Sequence, residues 1–399
     1  MKLVNSYPPA TRGKLVVWSI LSTFPFGGVT WQCLHYLVGL RRLGFDVWYV
    51  EDSDRPLYSP DTDWWPSLDY TANVAYLAKQ MERIGLGDRW IFRPPGVENT
   101  CLGATDLAGL QQLYKEADAA LNLSGGQELR PNHAAIRCLI YIETDPVAVQ
   151  IAVAKGDARA IDVLDTYHYL FSYGENFGAP DCRVPIERYH WRPTRMPINL
   201  DWWEMTTPPP AEAALTTVAN WRHTGKDVIW QGETYRWSKH YEFLRFIQLP
   251  SQSALPFELA LGAITEDEIS HMRLHGWRII PSVTRSEPET YRQYIRNSLG
   301  EFTVAKDQNI RLRSGWFSDR SACYLAAGRP VITQDTGFGN ILPTGEGLFA
   351  FSTEAEALAA IEAVANDYER QSQGARRIAR EFFDAERILG AMLRQVGLM

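Results

Sequence analysis

The chain has 399 residues, enough for two domains of about 150 to 200 residues that each bury a core. Its 40 Lys and Arg stand against 47 Asp and Glu, a net charge of −7 that excludes a broad basic surface for nucleic acid polymers or anionic membranes and leaves room for a local basic pocket. Five scattered cysteines (Cys33, Cys101, Cys138, Cys182, Cys323) without C-x-x-C spacing indicate neither a disulfide framework nor a zinc site, and a reducing cytoplasm is expected.

The apolar run 15–20 follows basic residues, yet it lacks a small-residue cleavage site and flows into a helix, so it reads as a first strand rather than a secretory signal. No apolar run approaches the ~20 residues of a membrane span. A loop with Pro25, Gly27 and Gly28 precedes a helix over 29–43, Gly44 stops it, and a strand over 47–50 ends at Glu51 and Asp52. This β–loop–α–β unit carries the terminal acid that dinucleotide folds set on a ribose, but not their G-x-G-x-x-G turn. Residues 54–70, dense in Asp, Pro and Trp, read as an inserted lid or binding loop, and the crowding of Trp18, Trp31, Trp48, Trp64, Trp65 and Trp90 into the first half leans toward a cleft.

Strands over 119–123, 138–143 and 167–172 each end in a loop of small or acidic residues: Ser124-Gly125-Gly126, Glu143-Thr144-Asp145-Pro146 and Gly174-Glu175-Asn176. Such ends are where open α/β sheets hold ligands. For acid–base work they offer Asp52, Glu143, Asp145, His168 and Glu175, of which Asp145 and Glu175 are the chosen candidates; capping a loop is the plainer job for each. The prolines of 206–210 mark a boundary, after which strands over 215–219, 257–261, 277–280, 302–305 and 330–333 alternate with helix-length stretches. Three of those stretches open with capping boxes: Thr265 with Glu268, Ser286 with Glu289, and Thr353 with Glu356. A final helix is expected over 375–398. His271 and His275 have metal-ligand spacing without a third ligand, and Asp61-Thr62-Asp63 lies in the inserted loop, so metal independence is expected.

The densest signal is 315–338, GWFSDRSACYLAAGRPVITQDTGF. Ser318 stands where a helix N-cap belongs, Asp319 and Arg320 follow, and Gly328 closes the helix before the strand 330–333. The bare amides and positive dipole end of such a helix bind anions, and Arg311, Arg313 and Arg320 add positive charge around the same point. Lys306 ends the preceding strand, Arg222 and Lys226 follow the strand 215–219, and Asp335, Thr336 and Gly337 form a turn suited to hydroxyl groups. Ordinary turns and surface ion pairs are the plain alternative for all of these.

The segment resembles the C-terminal half of GT-B glycosyltransferases, the spore-maturation type of bacterial enzyme in particular. The resemblance covers 215 to the C-terminus well and 14–52 more loosely. It implies two Rossmann-like, doubly wound α/β domains facing a central cleft: an acceptor domain over 1–205, a donor domain over 206–375, and a helix over 376–399 returning to the first. It also implies a donor site of Arg222, Lys306, Arg313, Gly315, Trp316, Ser318, Asp319, Arg320, Asp335, Thr336 and Gly337, with Arg320 stabilising the leaving group. Gly27, Gly28, Asp52, Ser124, Gly125 and Gly126 would then line the acceptor side. The paired glutamates that retaining members carry around this helix are replaced by Gly315 and Cys323, so no stereochemical outcome is implied. The activity expected is transfer of a sugar from a nucleoside diphosphate sugar, UDP- or dTDP-linked, to a hydroxyl or amine of a small molecule or glycan, without a separate cofactor. The alternatives are a nucleotide-sugar epimerase of the same fold, an NAD-dependent oxidoreductase, and a non-catalytic module binding glycans or a partner.

Overall fold

The structure is a computed structural model describing residues 3–4, 6–59, 62, 64–205, 207–283 and 287–399. Its first half supplies β1 (Lys14–Trp18), β2 (Asp46–Glu51), β3 (Leu57–Ser59), β4 (Trp64–Ser67), β5 (Trp90–Phe92), β6 (Leu102–Gly103), β7 (Ala119–Leu123), β8 (Leu139–Glu143), β9 (Tyr169–Ser172) and β10 (Trp191–Pro193). Eight of these form one sheet in the order β10-β9-β8-β7-β1-β2-β5-β6, in which only β5 and β6 run antiparallel. β3 and β4 make a separate hairpin inside the inserted stretch 54–70. The second half supplies β11 (Leu215–Asn220), β12 (Val228–Trp230), β13 (Glu233–Tyr235), β14 (Phe257–Gly262), β15 (Arg278–Pro281), β16 (Gly300–Thr303), β17 (Val331–Gln334) and β18 (Leu348–Phe351). Six of them form an all-parallel sheet, β15-β14-β11-β16-β17-β18, while β12 and β13 pair as a hairpin.

Strands such as β7, AALNL, are buried at every position, the continuous burial expected of parallel strands covered by helices on both faces. The strand order reverses between β1 and β7 in the first sheet and between β11 and β16 in the second. At such reversals the flanking connections leave in opposite directions and open a crevice at the carboxyl ends of the strands.

The capping boxes at Thr265 and Thr353 are formed; Ser286 lies outside the described residues. The stretch 375–398 is not one helix but parts of two, Tyr368–Phe382 and Ala385–Gln395. The break is pinned from the first half of the chain: the Ile198 N–H donates to the Phe383 carbonyl (2.7 Å), and the Ala385 N–H to that of Ile198 (3.0 Å). Helix Ala385–Gln395 then packs on helix Gly27–Arg42, so closely that a Cβ on Gly39 would sit 2.5 Å from Leu389 Cδ1. The sheets are also joined through helix Pro288–Asn297, where the Trp31 indole donates to the Pro288 carbonyl (2.8 Å) and Arg292 Nη1 to the Trp202 carbonyl (2.9 Å). β5, β6 and β10 escape the sequence reading because two or three residues carry no periodicity, and Pro193 closes β10 at the sheet edge.

Candidate active site between the sheets

The chain segments leaving β1, β11 and β16 meet at one cavity of about 280 Å³. From the first sheet come Phe26, Gly28 and Val29; from the second come Val218, Ala219 and Asn220 of β11, Lys306 beyond β16, and Asp319 and Arg320. Both strand-order reversals therefore open onto the same space.

Helix Gly27–Arg42 starts here, with no side-chain cap on its first turn and no acidic residue in it. Its leading amides and positive dipole end favour an anion. Gly27 has a steric reason: a Cβ there would lie 2.8 Å from Tyr291 Cβ of the second sheet's layer.

Helix Asp319–Ala326 also begins at the cavity, with Ser318 at its N-cap and no side-chain capping bond. Arg320, one residue into it, turns down onto the sheet: Nε donates to Glu301 Oε1 (2.5 Å), Nη1 to the Val218 carbonyl (2.8 Å) and Nη2 to Thr303 Oγ1 (3.0 Å). Arg320 is thus a fixed positive floor rather than a mobile clamp. Burial pushes the Asp319 carboxyl up against the opposing pull of Arg320, and its Oδ1 accepts the Arg320 N–H (2.9 Å).

The cation open to the cavity is Lys239, whose ammonium has no hydrogen bond or ion pair with any described residue and lies 5.5 Å from the centre of the Trp316 ring. Burial, then the charges of Arg320 and Lys306, push its pKa down to about 7; Glu301 and Asp145 oppose them. Lys306 stands 3.3 Å over the Trp237 ring and bonds Asp145, an ion pair that bridges the loops after β16 and β8. Burial pushes the Lys306 ammonium down while Asp145 holds it up. Asp145 Oδ1 is buried without a partner among the described residues. Beside it the Trp316 indole donates to the Thr144 carbonyl (3.0 Å). His223 lines the same cavity, its imidazole held below its ordinary value by partial burial and by Lys226 and Lys306.

Several residues expected to bind a donor do not line this cavity. Arg313 forms ion pairs with Asp181 (2.5 Å) and Asp335 (2.9 Å), and Arg311 pairs with Glu233 and Asp307, so these arginines do not gather with Arg320 around one point. Asp335 also accepts the Gly337 N–H (2.8 Å), and Thr336 Oγ1 donates to the Trp316 carbonyl (2.6 Å). Gly315, at φ +80°, lets Asn176 of the first half approach, and its N–H donates to the Thr336 carbonyl (2.7 Å). These residues build the seam between the halves, because the loop 313–317 and the turn 335–337 are held against Asn176 and Asp181. Arg222 binds Glu268 (2.6 Å) and His240 (3.1 Å) instead of the cavity.

On the first sheet, Gly28 lines the cavity, but Asp52 does not: it is fully buried against Arg93 (2.7 Å), Arg130 (3.0 Å), His133 (3.3 Å) and Tyr114 (3.1 Å). Burial alone would raise its carboxyl; His133, Arg130 and Arg93 outweigh that and hold it below the ordinary value. Ser124 and Gly125 line a separate, larger cavity of about 700 Å³ with Tyr141 and Tyr167, while Gly126 closes on the Ser19 backbone. Glu175 pairs with Arg195 (2.6 Å) in a third cavity against the C-terminal helices, burial raising its carboxyl against the pull of that arginine. His271 and His275 pack edge to face on each other at 5.0 Å, and among the described residues no group of three or more His, Cys, Asp or Glu is arranged to hold a metal ion.

No family model and no curated protein matches the sequence. Solved structures do match the backbone. AviGT4, a glycosyltransferase involved in avilamycin A biosynthesis, aligns over 96% of each chain with a TM-score of 0.57 at 12% identity. The chain has the GT-B fold. Anabaena Alr3699/HepE, solved in complex with UDP and glucose, aligns over 97% of this chain and 100% of its own (TM-score 0.56, 12% identity). An α-glucosyltransferase in complex with UDP and a 13-mer DNA aligns over 96% and 99% (TM-score 0.57, 10% identity).

Within that frame, Lys239 and Trp237 are among the cavity residues the sequence reading misses, and Lys239 is the cation among them. The basic pair it nominates after β11 is Arg222 and Lys226, whereas the β12–β13 hairpin is inserted there and the cation that reaches the cavity follows it. The signal available was the alternation Arg236-Trp237-Ser238-Lys239, basic and aromatic residues interleaved just beyond a hairpin turn at Gly232.

Proposed function

We propose that the protein is a glycosyltransferase using a nucleoside diphosphate sugar, of the spore-maturation type within its fold, with the donor diphosphate held in the cavity between the two sheets. The observation that carries this is the Lys239 ammonium, without a hydrogen bond or ion pair among the described residues, set beside Lys306 and the fixed Arg320 where two helix N-termini open into the same space. Three positive groups and the uncapped first turn of helix Gly27–Arg42, with the start of helix Asp319–Ala326 facing it, surround 280 Å³ and form a site for a compact, multiply charged anion. A dinucleotide site would call for the G-x-G-x-x-G turn that Phe26-Gly27-Gly28-Val29 lacks.

In this reading the bond between the anomeric carbon and the diphosphate oxygen breaks with its electron pair leaving on the diphosphate, and the ammonium groups stabilise that growing charge. Lys306 meets the diphosphate by leaving Asp145. Asp145, with one oxygen already unpartnered, then accepts the proton of the acceptor hydroxyl as the new glycosidic bond forms. Pairing Lys306 with Asp145 before the donor arrives keeps the base occupied, so donor binding precedes activation of the acceptor, which approaches from the Phe26–Gly28 side. Uridine and thymidine diphosphates are the first nucleotides to try.

The test is a thermal-shift panel of UDP, dTDP, GDP, ADP and NAD on the full chain. A nucleoside diphosphate at 100 times its Kd stabilises by about 2.7 kcal/mol through linkage. The expected result is a shift with UDP or dTDP that Lys239→Ala removes. A shift with NAD alone, or a nucleotide shift indifferent to Lys239→Ala, would overturn the assignment.

A further inference from the structure

Lys239 stands at the N-cap of helix His240–Arg245, and its backbone is held on both sides. Its carbonyl accepts the Glu242 and Phe243 N–H groups (3.0 and 3.1 Å), the Ser238 hydroxyl accepts the His223 N–H (2.6 Å), and the Trp237 N–H donates to Asp227 (2.8 Å). The side chain therefore enters the central cavity from a fixed point, and it ends there without a hydrogen bond or ion pair among the described residues.

The charged groups that face it are engaged with one another. Arg320 is paired with Glu301 (2.5 Å), Lys306 with Asp145, and Asp319 accepts the Arg320 N–H (2.9 Å); His223 adds an imidazole held below its ordinary value. Burial and the two cations outweigh Glu301 and Asp145, so the ammonium gives up its proton near pH 7. At that pH about half of the Lys239 side chains carry a free lone pair, against on the order of one in 3,000 for a lysine at the ordinary 10.5. An amine kept neutral by burial beside other cations is the form that attacks carbonyl carbon. The chain has eight lysines, and the others near the cavity or in ion pairs lack this combination. Lys306 is bound by Asp145, Lys226 is exposed against the Trp237 ring (4.9 Å), and Lys14 and Lys79 pair with Glu116 and Glu287.

We infer that Lys239 is a carbonyl-reactive amine, and that a phosphorylated aldehyde drawn into the central cavity forms a reversible imine with it. Lys306, Arg320 and the uncapped first turn of helix Gly27–Arg42 attract the phosphate, which concentrates the aldehyde beside the amine. The nitrogen lone pair forms the new bond to the aldehyde carbon. The carbonyl oxygen leaves as water with both amine protons, so C=N replaces C=O and no oxidant or reductant is consumed. The bound aldehyde fills the space that a diphosphate would take and uses the same cations, so each excludes the other and phosphorylated aldehydes block the site reversibly. This chemistry shares its cavity with the proposed donor site but needs no sugar transfer.

The probe is pyridoxal 5′-phosphate, added to the full chain at pH 7 and followed by borohydride, which delivers hydride to the imine carbon and fixes it as a secondary amine for peptide mass mapping. Wild-type protein should carry one phosphopyridoxyl group at Lys239, about tenfold or more above any other lysine. Pyridoxal without the phosphate should label Lys239 about tenfold less, and inorganic pyrophosphate should protect it. Lys239→Arg keeps the positive charge, but its guanidinium forms no imine with an aldehyde; it should take no label at this position, with near-UV circular dichroism unchanged. Label spread over the exposed lysines, label on Lys306 in preference to Lys239, or equal incorporation by Lys239→Arg and wild type would overturn the imine site. Label at Lys239 with no thermal shift from any nucleoside diphosphate would uphold the imine site and sink the donor reading alone. A nucleotide shift that Lys239→Ala removes, with no label on wild type, would do the reverse.

Discussion

The depressed ammonium of Lys239 gives the donor site a pH signature that can be worked out in advance. Burial with Arg320 and Lys306 on the same side, against Glu301 and Asp145 on the other, puts its pKa near about 7, well under the ordinary lysine value of 10.5. A diphosphate binds the protonated form, so at pH 7 about half of the sites already carry the charge, and above it each binding event takes up a proton. One proton gives close to a tenfold loss of apparent affinity per pH unit above the midpoint, or about fiftyfold between pH 7 and 9, equivalent to about 2.3 kcal/mol. The terminal phosphate of UDP, with a second pKa of about 6, completes its ionisation near the lower end of that window, and because this strengthens binding as pH rises it is opposite in sign to the loss expected from Lys239. Calorimetry with UDP in two buffers of different ionisation enthalpy measures both the affinity and the protons taken up. Wild type should approach one proton per site at pH 9, while Lys239→Met should bind weakly and evenly across the range. A flat wild-type profile, or the same proton uptake in Lys239→Met, would refute the placement of Lys239 on the diphosphate.

Replacing Lys306 by Ala removes the partner of Asp145 and a donor to the departing diphosphate, and kcat/KM for sugar transfer should fall by about 10²-fold or more. Arg320→Ala leaves Glu301, which is fully buried, without its counter-charge. It should cost about 3–5 kcal/mol in urea denaturation, a structural loss distinct from the effect of Lys239→Ala. Glu143 is buried under hydrogen bonds from Ser172 and Gln150 (2.7 Å each) at the end of β8, and burial, with nearby Asp145, raises its pKa to about 7 against those bonds. The folded protein therefore keeps this proton between the ordinary 4.5 and about 7 while the unfolded chain has lost it, so the stabilising contribution is whole below 4.5 and disappears as pH rises through 7. Glu143→Gln should flatten the wild-type decline in stability from pH 4.5 to 7 by on the order of 3 kcal/mol, read from urea midpoints at each pH.

Local patterns carried much of the fold. Strand β7 is found over the residues read from its apolar run, β11 and β14 extend only one residue further, and Thr265 and Thr353 cap their helices through bonds spanning three residues. Ser318 likewise stands at the N-cap of its helix, and Gly328, at φ +68°, follows its end. Each of these depends on neighbours within a turn or on the alternation of apolar and polar runs, and that information is present in the chain itself. The arrangement of the site is of another kind. Arginines 311, 313 and 320 lie within ten residues of one another, yet one grips Glu233, one Asp181, and one Glu301, because their partners come from three different strands and loops. Lys239, 67 residues before Lys306 in the numbering, reaches the same cavity because the two strand-order reversals face each other. Which cation stays unpaired, and therefore free to meet a ligand, is decided by every carboxylate within reach in space; the sequence supplies the charges, and only the packing of the two sheets assigns their partners.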